Sequence, residues 1–324
     1  MAIHNTTNRS APLKSFVQSL KVFLVGICMG IADLIPGVSG GTIAFICGIY
    51  DRLINGIKRF DLEALRLLFS GRMRELWHRP PCSFFIPLGL GIVTAILSLS
   101  HLLESLFESH PVHLWSFFFG LILGSILLLN RETRPWKARD WWAFAIAAAA
   151  TYLVVGIDAI QTPPSPLYLF LAGCIAVSAM ILPGISGSYI LVILGKYQQV
   201  LEALNARDLA AIGCFMAGLV VGVLTIVRIV SWLLRHFRQV TMVALTGIMA
   251  GALRTVWPWK ETLTTRIDSS GETVPLSQRN VLPADGGDIL PSLLLLLVGA
   301  LVVLGLHRLN PREEPTPHET PDKP

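Results

Sequence analysis

Twice along this chain an apolar run that would otherwise read as a membrane helix is broken by nearly the same short sequence. The first break is Pro36-Gly37-Val38-Ser39-Gly40-Gly41-Thr42, and the second is Pro183-Gly184-Ile185-Ser186-Gly187-Ser188. Proline removes a backbone donor, and closely spaced glycines favour unwound backbone. Unwound backbone at membrane depth survives only when it is buried in protein or lines a wet cavity. The two breaks are therefore expected to form one binding site.

The surrounding composition supports a membrane setting. Of 324 residues, 53% are hydrophobic and 15% charged, and the mean hydropathy is +0.61. Such values belong to helical membrane proteins rather than soluble ones. The short alternating segments of a transmembrane barrel are absent. Five cysteines occur without a CxxC spacing, so neither a zinc site nor a disulfide framework is expected. No metal, no organic cofactor and no nucleic-acid partner is suggested.

The chain then divides by hydropathy. Residues 1–20 read as a polar cytoplasmic tail without a cleavage site. The first broken element covers 22–50, with arms of roughly 21 Å and roughly 12 Å at about 1.5 Å per residue. Neither arm spans a core of about 30 Å. Further apolar runs lie near 84–104, 113–129 and 141–157, and the second broken element covers 167–195. Residues 208–234, 240–254 and 289–306 complete the apolar runs. The stretch 255–288 reads as an extracytoplasmic loop, and 307–324 as a disordered tail.

The two halves align by hand. An offset of 147 matches Gly26 to Gly173, Pro36 to Pro183, Gly37 to Gly184, Ser39 to Ser186, Gly40 to Gly187 and Tyr50 to Tyr197. After an extra segment in the first copy the offset becomes 127, matching Gly91 to Gly218, Gly120 to Gly247 and Gly124 to Gly251. The first repeat with a connecting helix is read as 21–157, and the second as 167–254. Internal duplication of an apolar unit is a sequence signature of many transporters.

Charge fixes the orientation. Arg52, Lys58, Arg59, Arg66, Arg72, Arg74 and Arg79 crowd the segment 51–83, and Arg131, Arg134, Lys137 and Arg139 the segment 130–140. The stretches 105–112 and 158–166 contain neither Lys nor Arg. If each broken element enters and leaves on one side, the basic segments all fall inside, as the positive-inside rule requires. The expected architecture is an all-α polytopic membrane protein with an inverted-topology repeat. It has two re-entrant hairpins, about six full transmembrane helices and both termini cytoplasmic.

An unwound turn followed by a helix start exposes N–H groups that suit an anion. The donors would be the backbones of Gly40, Gly41 and Thr42, and of Gly187 and Ser188, with hydroxyls from Ser39, Thr42, Ser186 and Ser188. Pro36, Gly37, Pro183 and Gly184 shape the turns. The plainer alternative is that the glycines permit close packing and the serines cap their own helices. Arg228 lies within 208–234 and is expected to pair with an anion or face a wet cavity. Arg254 closes 240–254, where substrate binding and simple interfacial anchoring are both open. Asp33 lies three residues before the first break. It is read either as a coupling site for a proton or sodium ion or as half of a fixed ion pair.

One rival concerns catalysis. Both breaks contain GxSG, the local pattern around the serine of rhomboid intramembrane proteases. A nucleophile needs a base within reach, and no histidine sits well inside the helices of the second half. No catalytic residue is assigned.

The segments Ile31–Thr42, Ser178–Ser188 and Gly251–Lys260 resemble the bacterial polyprenyl-phosphate transporter family, over about residues 20–306. The resemblance implies a flippase, not an enzyme. It would return undecaprenyl phosphate from the outer to the inner leaflet of the bacterial cytoplasmic membrane for cell-envelope synthesis. It also implies functional roles for Asp33, the two break motifs, Arg228 and Arg254. The runner-up is a transporter or channel for a small inorganic anion.

Overall fold

The computed structural model describes residues 10–34, 38–58, 66, 70–72, 82–160, 162–267, 273–283 and 286–309. Pro36 and Gly37, most of the basic segment 59–81 and the tail from 310 lie outside the described residues. Among the described residues the chain is mostly helical. The first half contains α1 (Ser10–Asp33), α2 (Gly40–Ile46), α3 (Tyr50–Lys58), α4 (Cys82–Ser109), α5 (Pro111–Thr133) and α6 (Ala138–Val154). The second contains α7 (Pro166–Ile181), α8 (Gly187–Ile193), α9 (Tyr197–Asn205), α10 (Leu209–His236), α11 (Arg238–Ala252) and α12 (Gly286–Leu309). Strands β1 (Lys260–Ile267) and β2 (Thr273–Asn280) stand between α11 and α12.

Two expectations change here. Residues 10–20, read from the sequence as part of a polar cytoplasmic tail, form the start of α1. The all-α expectation is corrected at 260–280, where β1 and β2 pair antiparallel from Lys260↔Asn280 to Ile267↔Thr273. Thr262, Thr264, Thr265 and Ile267 supply the β-branched side chains that favour a strand over an open loop. Among the described residues, three helices are long and apolar enough to cross a membrane by themselves: Phe84–Ser109, Pro111–Thr133 and Leu209–His236. Pro166–Ile181 and Ile289–Gly305 are shorter apolar helices.

Glycine contacts define how the helices pair. On α1 and α4, Gly26 faces the Leu88 carbonyl and Gly91 faces the Phe23 carbonyl, so closely that a Cβ on either would overlap. One turn on, Gly30 meets Ile92 and Ala95. The numbers rise together, so the two helices run parallel. On α7 and α10, Gly173 faces the Phe215 carbonyl, Gly218 the Phe170 carbonyl, and Gly222 meets Cys174 and Val177. These are the same contacts shifted by 147 on one helix and 127 on the other. Small residues at such crossings let backbones approach without voids.

A second pair of pairs follows. Gly120 of α5 faces the Leu296 carbonyl of α12, and Gly124 packs on Ala300. Gly247 of α11 faces the Phe144 carbonyl of α6, and Gly251 the Ala148 carbonyl. Again the partners run parallel. The correspondence makes α12 the counterpart of α6, at an offset of 152. Each of these helices packs on the opposite half of the chain. The repeated unit therefore extends through α12, with the β-hairpin inserted where the first half has only the short turn before α6.

Both broken elements fold back. At the end of α8, the Ile160 N–H donates to the Ile193 carbonyl (2.7 Å) and the Thr162 hydroxyl to the Leu194 carbonyl (2.7 Å). Residues 160–162 lead into α7, so α8 ends beside the place where α7 begins. In the first half α2 packs on α1. From α3, the Arg52 guanidinium lies 4.6 Å over the Phe84 ring at the start of α4, which is parallel to α1. Gly48 (φ 69°) and Gly195 (φ 63°) occupy matching positions just after α2 and α8. This left-handed conformation ends a helix at little cost only for glycine.

Candidate functional site

The two breaks meet. The Ser39 hydroxyl donates to the Met180 carbonyl (3.0 Å), the Tyr50 hydroxyl to the Ile181 carbonyl (3.2 Å), and the Gly184 N–H to the Thr42 hydroxyl oxygen (2.8 Å). Ser39 and Thr42 are 1% and 0% exposed, and the bond from Gly184 to Thr42 is buried. Gly184 has φ +101° and lies against Met249 and Ala252 of α11. That conformation is open to glycine and strained for other residues. A larger side chain there would also press on α11.

The helix starts at the breaks differ in how their N–H groups are satisfied. At α2, the Gly40 N–H donates to Asp33 Oδ1 (2.7 Å), the Gly41 N–H to the Ser39 hydroxyl (3.1 Å) and the Thr42 N–H to the Ser39 carbonyl (2.9 Å). All three first-turn donors are taken, one by a carboxylate. Asp33 thus sits where an external anion would sit. At α8, Ser186 makes no side-chain cap; it hydrogen-bonds instead to the Ser188 hydroxyl (2.8 Å). The Ile190 N–H reaches the Ser186 carbonyl. The N–H groups of Gly187, Ser188 and Tyr189 have no acceptor among the described residues. Ser186 and Gly187 are buried, whereas Ser188 is exposed. A first turn with open donors and two hydroxyls has the chemistry to hold a phosphate.

The basic residues divide. Arg254 donates from Nη1 to the Tyr152 carbonyl (3.1 Å), stacks 4.6 Å over the Tyr152 ring and lies against Gly156. The Tyr189 hydroxyl donates to the Val155 carbonyl (2.6 Å). Arg254 and the open first turn of α8 therefore meet the same end of α6. A guanidinium at a helix C-terminus also complements the unpaired carbonyls there. Arg228 is exposed, with Nη1 donating to the Leu224 carbonyl of its own helix (3.3 Å). It makes no hydrogen bond to either break among the described residues. The buried stripe of α10 runs through Val227, Val230, Ser231 and Leu234, which leaves Arg228 on the outward face.

Several contributors carry no motif. Tyr50, Tyr189 and the carbonyls of Met180 and Ile181 join the elements. Lys196 donates to the Thr162 carbonyl (3.3 Å), the Pro163 carbonyl (2.6 Å) and Gln199 Oε1 (2.7 Å). It ties the end of the second hairpin to its beginning, and its repeat counterpart is Ile49. A lysine just after an apolar arm was the available signal. Among the described residues no cluster of three or more His, Cys, Asp or Glu side chains could hold a metal ion.

Comparison with known proteins identifies the family. A family described as undecaprenyl phosphate translocase-like matches residues 29–274. The chain is 42% identical over 297 residues to a polyprenyl-phosphate transporter of Vibrio cholerae, covering 89% of this chain and 96% of that protein. It is 32% identical over 253 residues to a polyprenyl-phosphate transporter of Staphylococcus aureus, covering 72% and 85% respectively. No solved structure matches.

Proposed function

Because this chain belongs to the undecaprenyl phosphate translocase-like family, whose relatives are named as transporters and not as enzymes, we propose that it moves a polyprenyl phosphate across the bacterial cytoplasmic membrane. The carrier is undecaprenyl phosphate, and net movement is from the outer to the inner leaflet. The observation that carries the site is the open first turn of α8. Its N–H groups at Gly187, Ser188 and Tyr189, with the Ser186 and Ser188 hydroxyls, receive the phosphate, and Arg254 lies at the neighbouring end of α6. The prenyl tail stays in the lipid throughout.

The parallel helix pairs support an inverted repeat. Starting inside, α1–α2 is a re-entrant hairpin, and α4, α5 and α6 cross. The hairpin α7–α8 then enters from the outside, and α10, α11 and α12 cross back. In this order α1 and α4, α7 and α10, α5 and α12, and α6 and α11 each point the same way, as their contacts require. Six crossings place the basic segments inside.

In the present conformation the breaks touch each other. A phosphate passing between them must part the bonds from Ser39 to Met180 and from Gly184 to Thr42. The Asp33 carboxylate holds the first helix start closed. Its protonation would weaken its hold on the Gly40 N–H, which makes proton coupling the natural driving step. Purified protein in vesicles carrying labelled undecaprenyl phosphate is expected to equilibrate the lipid between leaflets. Inorganic phosphate and chloride are expected to stay put. Movement of the inorganic ions without the lipid would refute the reading.

A further inference from the structure

Outside the two breaks, one group is placed as a ligand-binding cation and has no role yet. Lys260 opens β1, directly after α11. Its ammonium donates to the Thr255 carbonyl (2.6 Å) and lies 3.8 Å over the Trp115 ring at the start of α5. Among the described residues those contacts use one of its three N–H donors and leave the others for a ligand. Aromatic rings continue outward from it. Trp115 meets Phe107 (5.3 Å), and Phe119, one turn along α5 from Trp115, meets Trp257 (5.5 Å). Trp257 in turn meets Trp259 (5.7 Å). The Trp257 N–H donates to the Val281 carbonyl (2.9 Å). The buried Trp259 indole N–H has no acceptor among the described residues. An aromatic wall holding a partly enclosed ammonium and an unanswered indole donor suits an anion with an apolar tail.

Its position relative to the second break is equally specific. Thr255, which accepts from Lys260, lies one turn beyond Ala252. Met249 and Ala252 are the residues that Gly184 of the second break touches. One end of α11 therefore touches both the lysine and the open break.

We propose that Lys260, held over Trp115 at the edge of this aromatic cluster, is the receiving site for the phosphate monoester of the lipid carrier on the outer face. The head group passes from there along the end of α11 to the first turn of α8. This rests on the transport reading and the topology given above. The ammonium holds the phosphate by charge, and the rings accept the first isoprene units. Lys260 is thereby a substrate-binding residue for entry, distinct from the donors of α8.

The test is transport by the full chain in vesicles with undecaprenyl phosphate supplied to the outer leaflet at several concentrations. Lys260→Met keeps the hydrophobic stem over Trp115 and removes the charge. It is expected to raise the apparent KM about tenfold or more while leaving the maximal rate within about twofold, because a hydrogen bond to a charged group is being lost. Lys260→Arg is expected to restore most of the affinity. An unchanged KM for Lys260→Met in a wild-type-active preparation overturns the proposal. A wild type that moves no lipid overturns the transport reading instead. If Lys260→Met does not fold, tryptophan fluorescence of the wild type decides. Undecaprenyl phosphate is expected to shift it, whereas undecaprenol and inorganic phosphate are not. An equal response to undecaprenol places the site on the tail alone, and a response to inorganic phosphate assigns it to the free ion. Either result overturns the lipid-phosphate assignment, as does no response at all.

Discussion

The two breaks began as copies and are now opposites. At the first, α2 starts with its donors filled by Asp33 and by the side chain and carbonyl of Ser39, in a buried setting. At the second, the first-turn donors of α8 have no acceptor among the described residues, Ser188 is exposed, and Arg254 lies near the adjoining end of α6. The residue matching Asp33 in the second copy is Met180, whose carbonyl accepts from Ser39. The Asp33 carboxylate and the capping bonds of Ser39 thus distinguish the first helix start from the second. Duplication supplied two anion-suited turns. In the first, a side chain of the same segment, Asp33, takes the leading N–H.

The sharpest way to break this difference is to copy the carboxylate. Met180 Cβ already lies close to Gly187. Met180→Asp would set a carboxylate at the start of α8 as Asp33 is set at α2. Transport is expected to fall roughly a hundredfold or more, because two like charges at about 4 Å repel strongly even in a partly screened interior. Met180→Asn, which adds no charge, is expected to lose far less. Equal losses would mean that charge is not what distinguishes the breaks.

A smaller effect is expected where the breaks join. Thr42→Val keeps the side-chain shape but leaves the buried Gly184 N–H without its acceptor. The cost is about 1–3 kcal/mol, read as a lower thermal unfolding temperature in detergent. Asp33→Asn should be milder still in stability, because the amide oxygen can still accept from Gly40. Transport by this variant is expected to stop responding to an imposed proton gradient. A retained response would remove Asp33 from the coupling step.

The smallest effect concerns Lys260, outside the spanning helices. Burial pushes its ammonium down to about 8 from an ordinary value of 10.5. Between those values the unfolded chain holds the proton and the folded chain has released it. Stability therefore rises with pH across that window. Lys260→Met is expected to flatten the rise in a thermal series from pH 8 to 10.5. The second half carries this lysine and the first half does not, so the slope belongs to one side of the comparison.

Much of this was legible in the residues. The breaks, the offsets of 147 and 127 and the glycines at the crossings were visible because proline and glycine have few substitutes at such positions. The packing of Gly26 on Leu88 and of Gly173 on Phe215 reproduces those offsets. The third correspondence, α6 with α12, was not visible. It rests on small residues such as Ala148 and Ala300, which leave little trace in an apolar run, and an insertion shifts the register. The joining bonds were hidden for another reason. Each uses a main-chain group on the second break, the carbonyl of Met180 or Ile181 or the N–H of Gly184, which nearly any residue would provide. The outward setting of Arg228 could have been read from the helical stripe of Val227, Val230, Ser231 and Leu234. Its depth in the run outweighed that pattern.

The central claim is that the lipid phosphate rests on the start of α8. Equilibrium binding of undecaprenyl phosphate to the purified full chain, with undecaprenol as the neutral control, addresses it most directly. The account predicts that Ser186→Ala with Ser188→Ala weakens binding about a hundredfold, since each lost bond to the charged group is worth about 1.5–3 kcal/mol. Ser39→Ala should change affinity little. Unchanged affinity in the Ser186/Ser188 pair, with a large loss in Ser39→Ala, would contradict the account and move the site to the first break.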